Sequence, residues 1–498
     1  MSGDREDGRA MQGPRGTRDL YPVEAARRRW ITERWREVAV RHGFEEVDGP
    51  TFEESDLYAV KSGEGILGEL FQAYSGKSPD EVERVRATGR APYAMRPEFT
   101  PTLARMYAAR AAGLPKPCKW FQIGPFFRAE RPQRGRLREF LQWNCDVLGL
   151  DVAPEKWNAE DAESRAEVAE AKARMDAECI ACCVALLEAM GLSGSTVRVG
   201  INDRAKVEAW LLGFGVPPDK LSVAFSLLDK RDKVEQLGSL VEPAKASGLT
   251  SERFLSFLIR PKGSVQGGSD PQLVQEFGPL LRALDSCQVG GWCSIDLNVV
   301  RGLAYYTDTV FEVIAEGERA VAGGGRYDNL VELFGGPPTP AVGFAMGDVV
   351  LANLLQDKGL MPSDAELMGL VGQTPDVFVL SNGTPEAEAQ VRPLVAALRR
   401  GSRAPQDSGL KTQVPGLNPQ APGPKPQASL HVRHSYKATK NVGKLLKEAA
   451  QVGARFAVIV ESATEATVKD LRTGEQWPDR VPIGEVGRKI AERAWNSR

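Results

Sequence analysis

The 498-residue sequence contains no uninterrupted apolar run of about 18 residues, the length at which a membrane-spanning helix is predicted. Its first segment, MSGDREDGRAMQGPRG, mixes acidic and basic side chains and lacks the apolar centre of a signal peptide. These absences argue against a membrane-spanning or secreted protein. We therefore expect a cytoplasmic protein that has no membrane partner.

Cysteine and histidine are scarce, with 7 cysteines and 3 scattered histidines in the whole chain. So few cysteines do not form a disulfide framework in a chain of this length. Cys179, Cys182 and Cys183 follow the spacing of one helix face, where thiols usually pack as small apolar groups. Because no histidine lies near them in sequence, we expect no metal bound by the protein itself.

An excess of charge of either sign is also missing, since 64 Lys and Arg side chains are nearly balanced by 66 Asp and Glu. Binding to nucleic acid would therefore require local basic patches rather than the net charge. The chain is 42% hydrophobic, which is enough to bury substantial cores. Its length predicts about three domains.

The segment Lys119–Leu148, KWFQIGPFFRAERPQRGRLREFLQWNCDVL, predicts an antiparallel hairpin with a long charged loop. Arginines such as Arg128, Arg134 and Arg136 are concentrated at the loop, together with Glu130. Arginine forms bidentate, charge-assisted hydrogen bonds with phosphate oxygens. The alternative is a solvated basic loop, which is a stronger alternative for Arg134 and Arg136 than for Arg128.

The return strand of this hairpin places Phe140, Gln142, Asn144 and Asp146 on one face by its period of two. The opposite face is apolar and suits packing on a core. An aromatic ring, amides and a carboxylate on one strand face are typical of a ligand site rather than of a packing surface. Such a face fits a flat ring together with hydrogen-bond donors.

A second segment, Arg301–Gly336, contains RGLAYYTDTVFEV and GGGRYDNLVELFGG. Its three consecutive glycines allow a backbone to approach a ligand closely, although a tight turn also explains them. Tyr305, Tyr306 and Tyr327 are candidates for a ligand pocket, and ordinary core packing is the alternative for each.

A third candidate element is Arg96-Pro97-Glu98-Phe99-Thr100. The carboxylate of Glu98 could bind an ammonium group, or it could be a surface carboxylate. Thr100 precedes Pro101, so it could equally be the N-cap of a helix. A helix from Pro22 to about His42 is predicted to pack on a core or a dimer partner.

These elements resemble the class II aminoacyl-tRNA synthetases. FR-x-E, an arginine-rich loop and an F-x-Q strand are similar to motif 2 of that class, and GFEEVDGPTFEESDLY is similar to motif 1, which lies at the dimer interface. RGLAYYT and GGGRYDNL closely resemble the signature peptides of the histidyl-tRNA synthetase family. The elements RGTRD and RPEFT are also similar to that family and occur in its order.

The resemblance implies a role for each matching residue that faces ATP. Arg128 and Arg301 would hold the α-phosphate and stabilise charge in the transition state. Phe140 would stack on adenine, and Glu130 would contact the adenine amino group. Mg²⁺ is implied as the companion of ATP.

The same resemblance implies a histidine pocket. Glu98, Thr100 and Gln142 would orient the amino and carboxyl groups of histidine. The side chains implied to line the imidazole pocket are Asp146, Tyr305, Tyr306 and Tyr327.

Three positions depart from the family pattern. Ala304 replaces a frequent acid, and Asp146 replaces a frequent, longer glutamate. In AVGFAMGDVVLANLL, which looks like motif 3, Val350 occupies the place of the arginine that normally clamps the terminal phosphates of ATP. The loop residues Arg134 and Arg136 are the candidates nearest in sequence to replace that contact.

The predicted fold is an α+β catalytic core, with an antiparallel sheet flanked by helices, a helical insertion and a C-terminal α/β domain. Its parts are a disordered N-terminus (1–13), two core segments (14–200 and 286–357), the helical insertion (201–285), a linker (358–375) and a tail domain (376–498). A Pro- and Gly-rich insert at about 402–427 is predicted to be disordered.

The tail resembles the anticodon-binding domain of these synthetases. Arg433, Lys437, Lys440 and Lys444 cluster around a helix start and could meet tRNA phosphates, or they could be a solvated helix face.

The predicted function is ATP-dependent ligation of L-histidine to histidine tRNA by a homodimer. One alternative is a histidine-sensing regulatory paralogue, which would explain Val350 but usually lacks a tail domain. A nucleic-acid-binding module without catalysis is the other alternative, and it would not need the Gln142 and Asp146 face.

Overall fold

Two compact units, residues 1–362 and 363–498, make up the computed structural model. The described residues are 12–58, 68–157, 161–231, 236–259, 275–297, 299–300, 303, 305–315, 319–401, 429–437 and 439–495. The catalytic candidate Arg301 and Ala304 lie outside these ranges. So do residues 1–11 of the predicted disordered N-terminus (1–13) and the predicted disordered insert at about 402–427.

An eight-stranded sheet forms the centre of the first unit, in the order β1-β5-β6-β11-β10-β9-β7-β8. A smaller sheet has the order β2-β4-β3. The strands are β1 Glu45–Glu46, β2 Phe52–Glu54, β3 Gln72–Ala73, β4 Tyr93–Met95, β5 Cys118–Phe127, β6 Glu139–Leu148, β7 Val197–Asp203, β8 Cys293–Ile295, β9 Thr309–Ala315, β10 Ala322–Arg326 and β11 Ala341–Gly347. The central pairs are antiparallel, as predicted, whereas the outer pairs β1–β5 and β7–β8 are parallel.

Helices flank this sheet. Within the described part of the first unit they are α1 Pro22–Arg41, α2 Pro79–Thr88, α3 Thr100–Ala108, α4 Ala162–Ala189, α5 Arg204–Gly213, α6 Leu221–Lys230, α7 Val241–Ala246, α8 Glu252–Leu258, α9 Gly278–Ser286, α10 Leu330–Leu333 and α11 Asp348–Asp357. Across the described residues, no helix combines the length and the apolar character needed to cross a membrane. The predicted combination of an antiparallel core sheet and flanking helices is confirmed.

The predicted hairpin is formed by β5 and β6, with Phe126 opposite Phe140 and Gly124 opposite Gln142. Its apolar face is fully buried at Trp143, Cys145 and Val147. Trp143 stacks on Trp35 of α1, with ring centroids 6.2 Å apart. Because side chains alternate along the strand, one face of β6 packs in the core and the opposite, polar face is available to a ligand.

The three helical cysteines lie in α4, and all of their side chains are buried without a disulfide. Cys179 approaches the backbone oxygen of Cys145, with its sulfur 3.6 Å away. These contacts confirm that the thiols pack as small apolar groups between the helix and the sheet.

The helical segment after β7 has its own core, which includes Leu211, Phe225 and Phe254. It begins later than the predicted residue 201, because the alternating residues up to Asp203 extend β7 in the large sheet. Asp203 then caps α5 by accepting a hydrogen bond from the Lys206 backbone.

The second unit contains a five-stranded sheet in the order β13-β12-β14-β15-β16. Its strands are β12 Val377–Ser381, β13 Val432–His434, β14 Phe456–Val460, β15 Glu465–Asp470 and β16 Val481–Pro482, and its helices are α12 Asp364–Leu370, α13 Pro385–Arg400, α14 Val442–Gln451 and α15 Val486–Trp495. Parallel and antiparallel pairs both occur, so the predicted α/β tail is confirmed with a mixed sheet. The predicted linker is partly helical, because Ser363 and Glu366 form a capping box that starts α12.

A buried ion pair joins α4 to the end of β10 in the first unit. The Arg326 Nε lies 2.9 Å from an Asp176 carboxylate oxygen, and both side chains are at most 3% exposed. Arg326 also pairs with Asp328 at 2.8 Å. Burial raises the pKa of Asp176 to about 6, against the opposing effect of Arg326.

We expect Asp176→Ala to destabilise the first unit by about 3 kcal/mol, because it removes one carboxylate from a buried guanidinium. The matched control is Asp151→Ala. Asp151 pairs with Arg174, which lies on α4 as Asp176 does, and both side chains of this pair are partly exposed. That change should cost less than about 1 kcal/mol. Urea denaturation of both variants measures the difference, and equal losses of stability would contradict the assignment.

Candidate active site

A cavity of about 200 Å³ lies against the polar face of β6. Residues of β10, β11 and the first turn of α11 complete its walls. The predicted site residues that line it are Glu98, Thr100, Arg128, Glu130, Phe140, Gln142, Tyr305, Tyr306 and Tyr327. Three separated segments of the chain thus bring nine of the predicted side chains to one cavity.

The first carboxyl–phenol pair in this cavity is formed by Glu98 and Tyr305. The Tyr305 hydroxyl donates to a Glu98 carboxylate oxygen at 2.5 Å, and both side chains are buried. Burial and the Glu98 charge raise the pKa of Tyr305 well above its usual value. The phenol therefore stays protonated and keeps its role as a donor.

Thr100 lies beside the same pair and hydrogen-bonds to Tyr305. It is the first residue of α3, whereas Phe99 occupies the N-cap position and makes no side-chain cap. The alternative that Thr100 serves as the helix cap is therefore wrong. Its hydroxyl faces the cavity instead.

The second carboxyl–phenol pair is formed by Asp146 and Tyr327, whose hydroxyl donates at 2.6 Å. Asp146 is 2% exposed, and burial raises its pKa to about 7, although the tyrosine hydrogen bond acts in the opposite direction. Gly343 lies directly opposite in β11. A Cβ atom there would overlap the Asp146 carboxylate, so only glycine leaves room for the acid.

Gln142 also lines the cavity. Its side-chain oxygen is buried and has no hydrogen-bond partner among the described residues. A buried acceptor left in this way is costly unless a ligand or water donates to it. The position favours a ligand that carries an N–H group.

Two arginines, Arg128 and Arg136, also line the cavity. The Arg128 guanidinium lies over the Phe140 ring, 5.5 Å from its centroid, and its Nε donates to the Pro97 oxygen at 3.2 Å. Glu130 accepts a hydrogen bond from Arg136, which also lines the cavity. An aromatic face and two guanidinium groups suit a base and its phosphates.

Asp348 connects elements around the cavity, and sequence reasoning did not find it. One of its oxygens accepts from the Leu141 backbone at 2.9 Å, and the other accepts from Arg18 at 2.7 Å. It thereby ties α11 to β6 and to the N-terminal RGTRD segment. No local pattern predicts such a contact, since the partners are more than 200 positions apart.

The candidate tRNA-binding residues lie in the second unit around the start of α14. Lys440 and Lys444 are exposed, Lys437 pairs with Glu448 at 3.3 Å, and Arg433 donates to the Gln373 oxygen. Sequence reasoning missed Tyr436, which is 85% exposed.

A family model described as histidyl-tRNA synthetase matches residues 16–159 and 166–348. A histidine–tRNA ligase of Thermococcus kodakarensis is 32% identical over 482 residues, covering 93% of this chain and 94% of that relative. One of Opitutus terrae is 37% identical over 393 residues, covering 75% and 80%. The structure of histidyl-tRNA synthetase from Nostoc sp. PCC 7120 has a TM-score of 0.64 at 20% identity, covering 97% of this chain and 99% of that one.

The large sheet with its hairpin and flanking helices has the fold of a class II aminoacyl-tRNA synthetase. The family model covers more than half of the chain, and the relative from Thermococcus kodakarensis matches both units. The chain belongs to the histidyl-tRNA synthetase family.

The raised pKa of Asp146 predicts a pH-dependent effect of Asp146→Asn on stability. Since the folded carboxyl has a pKa of about 7 and the unfolded one about 3.9, the wild type loses stability as pH rises through this interval. Asparagine does not titrate. The free energy of unfolding of the variant, relative to wild type, should therefore increase by about 2 kcal/mol between pH 5 and pH 8.

Urea denaturation at both pH values measures this change. The pH dependence is the readout, because any constant packing effect of the substitution cancels. A difference that is the same at pH 5 and pH 8 would show that Asp146 is already ionised in the folded protein.

Proposed function

We propose that this protein ligates L-histidine to histidine tRNA, using ATP and passing through a histidyl-adenylate. The observation that carries the proposal is that one cavity is lined by two kinds of group: the phenols of the two carboxyl–phenol pairs together with Glu98, and Arg128 and Arg136 together with Phe140. Curated relatives of similar length that carry the name histidine–tRNA ligase support the same reaction.

The carboxyl–phenol pairs suit histidine. Glu98 offers a carboxylate to the ammonium group, with Thr100 beside it, and the unsatisfied oxygen of Gln142 accepts a further N–H. Asp146 accepts from the imidazole N–H, because a neutral imidazole has one donor and one acceptor nitrogen. Tyr305, Tyr306 and Tyr327 enclose the ring.

The arginines and Phe140 suit ATP. Phe140 stacks on adenine, Glu130 meets its amino group, and Arg128 and Arg301 hold the α-phosphate. Mg²⁺ would enter as part of the ATP substrate and would offset the negative charge of its phosphates. Attack of the histidine carboxylate on the α-phosphorus needs alignment and compensation of charge more than it needs a covalent enzyme intermediate.

The second unit would bind tRNA. Exposed Lys440 and Lys444 can meet phosphates, and the exposed ring of Tyr436 offers a surface on which a base stacks. Lys437 and Arg433 extend the same basic cluster. Assembly as a homodimer in the cytoplasm belongs to this proposal.

A histidine-sensing regulatory paralogue is the weaker candidate. Its support was Val350, which replaces the motif 3 arginine. The histidine–tRNA ligase of Pyrococcus furiosus covers 95% of this chain, including the tail that such paralogues usually lack. The comparisons therefore favour the ligase.

Histidine-dependent exchange of pyrophosphate with ATP tests the reaction. We expect exchange with the wild type, and Arg301→Ala should reduce it about 100- to 1,000-fold, since one transition-state donor of this kind contributes roughly 3 to 4 kcal/mol. Binding of histidine to Arg301→Ala, measured by calorimetry, should be retained. Exchange at the wild-type rate would remove Arg301 from catalysis, and a wild type without exchange would overturn the ligase.

Asp146→Ala tests the histidine contacts separately from the ATP contacts. We expect this change to abolish measurable histidine binding while the ATP affinity stays within about threefold, because the proposal assigns this carboxylate to the imidazole and not to the nucleotide. Calorimetric titration with each ligand gives both values. Unchanged histidine affinity would exclude Asp146 from the pocket.

A further inference from the structure

Val350 leaves the cavity without the cation that this position normally supplies in the family. Its side chain lines the cavity wall at the first turn of α11 and is 8% exposed. A valine offers only dispersion contacts to a phosphate. Another side chain has to balance the terminal phosphates if ATP binds here.

The loop arginine Arg134 does not point to this place. Its guanidinium pairs with Asp357 at 2.5 Å, at the far end of α11, and both side chains are more than half exposed. Arg136 does line the cavity, but it is hydrogen-bonded to Glu130. Arg136, the one of these two loop arginines that lines the cavity, is therefore already matched by a carboxylate.

Arg319 approaches Val350 from the segment that precedes β10. It lies three residues before β10, and Ala320, Val321 and Ala322 after it line the cavity. Its guanidinium donates to the Gln133 side chain at 2.5 Å. Gly135 of the hairpin loop lies between two side chains: a Cβ there would be 3.2 Å from Val350 Cγ2 and 3.6 Å from Arg319 Cδ.

Like charges lie close together at this place. Partial burial lowers the pKa of the Arg319 guanidinium, the charge of Arg136 lowers it further, and Glu130 acts in the opposite direction. The Arg128 guanidinium lies 4.0 Å from Glu130, so among the described residues this carboxylate interacts with Arg128, Arg136 and Arg319. A polyanion would relieve this repulsion.

We propose that Arg319, in the segment that precedes β10, binds the terminal phosphates of ATP in place of the arginine that Val350 has replaced. The phosphate-binding guanidinium would thus come from the segment before β10 rather than from α11, and Gly135 lies between these two positions. This assignment deepens the proposed function, because it names the triphosphate contact of the same site.

The affinities of ATP and AMP distinguish this role, since AMP lacks the terminal phosphates. For the full-length Arg319→Ala variant, we expect the Kd for ATP·Mg²⁺ to increase about 10- to 100-fold, the loss typical of one hydrogen-bonded charge. The Kd for AMP should change less than about threefold. Calorimetry measures both constants without requiring catalysis, so the result is separable from the exchange assay of the ligase reaction.

Three further variants sharpen the test. Arg174→Ala removes an arginine of α4 that pairs with Asp151, and this change should leave both constants unchanged. Arg319→Gln replaces the guanidinium by an uncharged amide and should reproduce the loss even if Arg319→Ala folds poorly. Val350→Arg alone should gain little, because it adds like charge, but combined with Arg319→Ala it should restore most of the ATP affinity.

An unchanged ratio of ATP to AMP affinity in both Arg319 variants would overturn the proposal. An equal loss for both nucleotides would also overturn it, because that outcome indicates a general distortion of the cavity. A wild type that binds ATP and exchanges no pyrophosphate would overturn the ligase function while leaving Arg319 testable by the same ratio.

Discussion

The antiparallel pairing of β6 with β11 is the constraint on which the site depends. It places Asp146 opposite Gly343 and Gln142 opposite Gly347. The same register therefore provides space for the Asp146 carboxylate and positions the start of α11 beside Gln142. A shift by one residue would turn Asp146 into the core and expose Trp143. The stacking of Trp143 on Trp35 and the bond from Leu141 to Asp348 both hold this register.

Local periodicity made much of this predictable. The alternation in Phe140–Val147 gave the correct faces of β6, and the helical spacing of the cysteines gave their burial. The resemblance to a family supplied the expected roles, and those of Arg301 and the other site residues stay predictions. What could not be derived were contacts set by the order of strands β6, β11 and β10, such as Gly343 against Asp146 or Arg319 beside Gly135.

The effect of each charged side chain also depends on neighbours that are distant in sequence. The near-neutral total conceals an arginine-rich cavity, a buried Arg326–Asp176 pair and exposed lysines in the second unit. Arginine beside buried carboxylates stabilises the fold, whereas guanidinium groups that outnumber their carboxylates create a place for an anion. The same residue type thus has opposite consequences, and only its neighbours decide which one applies.

The two phenol–carboxyl pairs have a consequence for selectivity. Because Glu98 and Asp146 are stripped of water and held by tyrosine hydroxyls during folding, little reorganisation is left for binding. An amino acid of similar shape without ring N–H groups would displace this arrangement and leave buried acceptors unmatched. Rejection of apolar amino acids would therefore follow from the folded pocket itself, without a second, hydrolytic site to correct errors.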